Sequence, residues 1–182
     1  NVDSFNSELE RKNNHLSNTI TKLKKKINVN EQNFYLIYLY AAPLLKKSGG
    51  ETNSPINYRK EIKSIVNIFN KTGNAYNCLF ECANERLFTD ILRNSSMKVL
   101  HISSHGEINK ENKYSLILED NTQKQDINSD QLENILKINS SKIENIDLVF
   151  VSTCYSEELG ELFFKYKAKN VIYITSKTPI NR

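Results

Sequence analysis

Four residues in this chain have the types and spacing for covalent chemistry: His101, His105, Gly106 and Cys154. Two of only three histidines fall four residues apart in HISSHGE (101–107), on the end of an apolar run. Cys154 follows another apolar run, in STCYSE (152–157). A cysteine thiolate can attack an amide carbonyl while a histidine supplies a proton to the leaving amine. The tetrahedral oxyanion then needs backbone N–H donors. Gly106 suits that role, because a residue without a side chain lets its N–H approach the substrate. The N–H of Cys154 is the second donor. His101, inside its apolar run, reads as a packed or supporting histidine rather than a catalyst.

Two other readings compete. A single His or Cys at a strand end is more often structural, since cysteine is among the most buried residue types. The pairs Cys78/Cys82 and His101/His105 also imitate a zinc finger, but the spacer between them is too long and holds a whole helix and strand. The catalytic reading therefore expects no metal and no organic cofactor.

The elements that must position these residues alternate. Apolar strands are expected at FYLIYLY (34–40), YNCLFEC (76–82), MKVLHIS (97–103), DLVFVST (147–153) and NVIYIT (170–175). A shorter strand, YSLILED (114–120), suits a hairpin or insertion. Helical spacing marks 57–69, 85–95, 129–138 and 157–166, the third capped by Ser129 or Asp130 with Glu133 near the capping-box position. LLKKSGGETNSP (44–55) reads as a polar connecting loop. Nearly all-apolar strands alternating with helices predict an α/β fold with a mostly parallel sheet covered on both faces. Chemistry in such sheets gathers at the carboxyl ends of the strands. His105 and Cys154 then share one rim if their strands are neighbours.

Residues 1–30 differ. Val2, Leu9, Leu16 and Leu23 recur every seven residues, with Asn6, Asn13, Ile20 and Ile27 at the companion positions. This predicts a coiled-coil or amphipathic association helix, a route to an oligomer or complex subunit. Among 182 residues the net charge is only +4, with lysines and acids interspersed, so no basic face points to nucleic acid. No stretch approaches the roughly 20 apolar residues of a membrane helix. Three cysteines, an odd and sparse count, suit a reducing intracellular compartment, such as the cytoplasm.

These motifs resemble the CHAT domain, a caspase-like module. The likeness covers residues 34–182. YLYAAPLL (38–45) is similar to the family's first strand and Ala-Ala-x-Pro turn, and YRKEIKSI (58–65) to the following helix at Glu61 and Ile62. VLHISSHGE (99–107) is similar to the histidine motif, with Ser104 where glycine is usual. LILED (116–120) resembles the strand that follows. VSTCYSEELGELF (151–163) is close to the cysteine motif, with Thr153 where alanine is common. VIYITSKTPI (171–180) resembles the next strand and turn. A His about 50 residues ahead of a Cys is also the caspase-type spacing. The resemblance implies a caspase-haemoglobinase-like three-layer sandwich and a cysteine endopeptidase acting on protein substrates through His105 and Cys154. It also implies a domain cut short at Arg182, since the family continues with another helix and strand. A second class stays open: a catalytically silent scaffold that docks protein partners through the N-terminal helix.

Overall fold

A computed structural model of the chain describes residues 33–43, 56–108, 113–120 and 123–174, all within the unit Asn33–Arg182. The expected association helix (1–30), the whole of the 44–55 loop and the turn after residue 174 lie outside the described residues. In chain order the elements are β1 (Asn33–Tyr40), α1 (Tyr58–Thr72), β2 (Cys78–Cys82), α2 (Glu85–Asn94), β3 (Ser96–Ser103), β4 (His105–Ile108), β5 (Tyr114–Asp120), β6 (Gln123–Asn128), α3 (Ser129–Ile138), α4 (Ser140–Ile143), β7 (Leu148–Ser152), α5 (Glu157–Lys165) and β8 (Val171–Ile172).

Five strands form a parallel sheet in the order β2-β1-β3-β7-β8. β-branched and aromatic side chains crowd these strands, which favours a pleated, buried surface. A smaller antiparallel sheet, β4-β5-β6, follows β3 directly. The chain is therefore α/β with a mostly parallel main sheet, as the alternation predicted.

Side chains alternate across the main sheet. Ile37, Leu39, Leu100, Ile102, Val149 and Val151 share one face and are almost wholly buried. They form one core with Phe88 and Leu92 of α2, Leu132 and Leu136 of α3, and Leu159 and Phe163 of α5. Each fully buried side chain of this size contributes roughly 1.5–3 kcal/mol. Tyr114, Leu116, Leu118 and Ile127 of the small sheet join the same core.

The opposite face carries Leu36, Tyr38, Val99, His101, Leu148, Phe150 and Ile172. Among the described helices only α1 lies against it, and none of its residues is fully buried. An open apolar cavity of about 380 Å³ remains there, lined by Ile65 and Phe69 of α1 and by Val99, Leu148 and Phe150. The expectation of a sheet covered equally on both faces is thus met on one face only among the described residues.

Three further points depart from expectation. β4, β6 and α4 were not foreseen. The cap of α3 is Asn128, whose side chain accepts from Gln131 N–H while Gln131 returns a bond to the Asn128 N–H. Ser129, Asp130 and Glu133 are thus inside the helix, Ser129 one residue and the Asp130/Glu133 pair two residues late for the box. β8 is two residues long rather than six.

Candidate active site

The rim at the carboxyl ends of the strands is set by register. Ser103 at the end of β3 pairs with Ser152 at the end of β7. The pairing runs one residue further, where Ser104 N–H donates to Ser152 O at 3.3 Å. His105 and Cys154 each stand two residues beyond the paired serines, on chains leaving the sheet side by side. Both are partly buried.

Gly106 meets Cys154 through the backbone. A methyl group on Gly106 would fall 2.0 Å from the Cys154 carbonyl oxygen and 3.1 Å from its carbonyl carbon. Only glycine permits this approach, because backbone cannot swing aside as a side chain can. His105 is the preceding residue, paired with Ile117 across β5. The structure therefore brings three sequence-predicted residues, His105, Gly106 and Cys154, to one point of the rim.

Several hydroxyls hold the loop around the cysteine. Thr153, fully buried, is hydrogen-bonded to the Tyr114 hydroxyl at 3.0 Å. Ser156, also fully buried, accepts from Ile174 N–H at 2.8 Å and donates to Ile174 O at 3.4 Å. Between them Tyr155 takes a φ of 53°, the left-handed region that a non-glycine residue enters at a cost of about 1–2 kcal/mol. Strain of this kind persists only where surrounding contacts over-determine it. Ser104 donates to the Ile117 carbonyl and so ties the β3–β4 turn to β5.

Burial pushes the Tyr114 phenol well above its ordinary range; the Thr153 hydrogen bond pulls the other way, and Glu158 and Cys154 add to the rise. The ring stays neutral throughout any physiological pH. Glu158, in the first turn of α5, accepts from Tyr114 N–H at 3.2 Å.

Two carboxylates brace the rim from below and beside. Glu61 of α1 accepts from the Ser103 hydroxyl at 2.8 Å and from the Tyr38 hydroxyl. Glu119 of β5 accepts from Ala42 N–H at 3.2 Å, where the chain leaves β1. Glu119 also hydrogen-bonds Cys82. The Cys82 thiol is pushed up to about 12, chiefly by burial and then by the Glu119 and Glu81 charges.

His101 is elsewhere. It lies on the half-covered face, its ring edge-on to Tyr38 at 4.5 Å and to Phe150 at 4.6 Å between centroids. There its ring packs against both aromatics, away from the rim. Cys78 and Cys82 pair with Leu36 and Tyr40, so the whole of β1 separates them from β3 and its histidine. Two strand spacings put roughly 10 Å between those backbones. Among the described residues no group of three or more His, Cys, Asp or Glu gathers as a metal-ligand set, and no helix is long and apolar enough to cross a membrane.

Tyr114, Ser156 and Glu119 were missed from sequence. Each acts through a contact between elements distant in the chain, for which a single sequence carries no local signal. No family model matches the chain, and no curated protein is significantly similar to it.

Proposed function

We propose that this chain is a cysteine endopeptidase of the CHAT, caspase-like type, built on a caspase-haemoglobinase-like sandwich, with residues 1–30 as its association helix. The observation that supports this most is the backbone contact of Gly106 with Cys154, beside His105, where β3 and β7 leave the sheet. Cys154 Sγ attacks the scissile carbonyl carbon, forming a C–S bond as the π pair moves to oxygen. The N–H groups of Gly106 and Cys154 donate to that oxyanion. Collapse breaks the C–N bond, and the amine leaves with a proton from the His105 imidazolium. Water then attacks the thioester, giving a proton to neutral His105. The C–S bond breaks, and the thiolate returns. The chemistry calls for protein substrate only, and the bond-selecting pocket belongs between the cysteine loop and Ala42–Pro43.

The test is the rate of Cys154 alkylation by iodoacetamide, followed by mass spectrometry across pH, in wild type and His105→Ala. Fast reaction near neutral pH, slowed about ten-fold or more in the variant, is the expected outcome for a histidine-assisted thiol. A slow reaction indifferent to the variant rejects the peptidase and leaves the silent scaffold.

A further inference from the structure

The hydroxyl pair of Tyr114 and Thr153 has no part in the scheme above. Both residues are fully buried, Tyr114 on β5 and Thr153 directly before Cys154, with their oxygens 3.0 Å apart. The Tyr114 ring also closes on Gly106: a methyl group there would fall 2.8 Å from Tyr114 Cε2. The Tyr114 N–H donates to Glu158 at the start of α5. One side chain thus abuts the residue offering one oxyanion donor and is bonded to the residue preceding the other. A neutral, buried hydrogen bond brings no charge to the site. It sets how far apart the two donors stand, and donors help only when placed within tenths of an ångström of the developing oxyanion.

We propose that Tyr114, through its hydrogen bond to Thr153, is a positioning residue that holds the Gly106 and Cys154 N–H groups at the spacing that binds an oxyanion. This rests on the peptidase reading of the same site. It differs from simple core packing in a measurable way. Iodoacetamide is attacked at a saturated carbon: a C–S bond forms, iodide leaves, and no oxyanion arises. p-Nitrophenyl acetate is attacked at its carbonyl: a C–S bond forms, an oxyanion arises and collapses, and the C–O bond breaks as p-nitrophenolate leaves with its electron pair. Both reactions need the thiolate. Only the second needs the paired N–H donors.

The experiment measures both rates at Cys154 in the full chain, for wild type, His105→Ala, Tyr114→Phe, Thr153→Val and Thr153→Ser. Loss of a whole oxyanion donor costs about 100- to 1000-fold, so a loosened pair is expected to cost roughly 10- to 100-fold in acylation. Tyr114→Phe and Thr153→Val should show that loss while alkylation stays within about two-fold of wild type, since thiolate formation is spared. Thr153→Ser keeps the hydroxyl and should acylate as wild type does. The double variant Tyr114→Phe/Thr153→Val should be no worse than either single one, because one bond is lost in each case.

Wild-type acylation rates in Tyr114→Phe and Thr153→Val overturn the inference. So does parallel loss of both reactions, which marks a merely structural role, or a Thr153→Ser variant as slow as Thr153→Val. If Tyr114→Phe does not fold, the two Thr153 variants decide the matter. A wild-type Cys154 that alkylates slowly and ignores His105→Ala defeats the peptidase reading, and the inference falls with it. That result is read from wild type and His105→Ala alone, so the two failures are distinguishable.

Discussion

At the scale of single residues, the rim of the sheet depends on what is absent as much as on what is present. Gly106 has no Cβ, and the Cys154 carbonyl occupies the place one would take. Gly106→Ala must push backbone apart. We expect a loss of about 1–3 kcal/mol of stability, the range for overpacking, read as a lowered urea midpoint. An unchanged midpoint would mean that the two loops are not in contact in solution. Gly73 is the contrast. Nothing lies within 4 Å of its missing Cβ, but its φ of 69° is left-handed at the carboxyl end of α1. Gly73→Ala should lose only about 1 kcal/mol, from backbone strain alone.

The thiols divide by environment. With its proton held to about 12, Cys82 should resist alkylation at pH 7–9 in the folded protein and react readily once unfolded. Its folded pKa is raised, so its contribution to stability is complete below the ordinary value of 9.0 and is lost as pH climbs toward 12. The check is residue-resolved labelling in buffer and in urea. Rapid labelling of native Cys82 at pH 8 would contradict its bond to Glu119.

At the scale of elements, the strands with apolar runs were legible from sequence, because a short apolar run bounded by turn residues marks a buried strand whatever the tertiary detail. Four of the five main-sheet strands appear within two residues of the expected bounds. β4 and β6 were not legible. HGEI offers a glycine and a charge, and QKQDIN only one buried residue, Ile127. Each is a strand because β5 lies beside it, not because its own pattern says so. The same holds for the cap of α3. SDQLEN offered two acceptors, but β6 runs straight up to Asn128 in extended backbone, and the helix begins at the next residue. Asn128→Ala removes the side-chain half of the box, the bond from Gln131 N–H, and should cost about 1 kcal/mol, measurable by thermal unfolding. The site was half legible. His105, Gly106 and Cys154 announced themselves by type and by following apolar runs. Ser156, Glu119 and the Tyr114–Thr153 pair did not, since their partners lie 18 to 77 residues away in the chain.

At the scale of the whole molecule, protection should follow position in the sheet. β1, β3 and β7 are interior, and Ile37, Leu39, Leu100 and Ile102 are buried under helices as well. Their amides should exchange last, near the global unfolding limit, while those of β8 and β2 at the edges exchange sooner. Hydrogen exchange with fragment analysis reads this directly. Equal protection of β8 and β3 would show that the β8 edge is covered in solution.

The half-covered face has an origin in winding. From β1 to β2 the chain steps one way across the sheet, through α1. The moves from β2 to β3, β3 to β7 and β7 to β8 all step the other way. Crossovers keep a single hand, so a reversal of direction must also reverse the face on which the helix lies. One step therefore furnishes one helix, and three steps furnish the crowded side. Progress beyond β8 in the same sense would thicken the layer that is already complete. By the same rule, a helix on a crossover that carried on past β8 in that direction would leave the groove beside Phe150 and Ile172 unroofed.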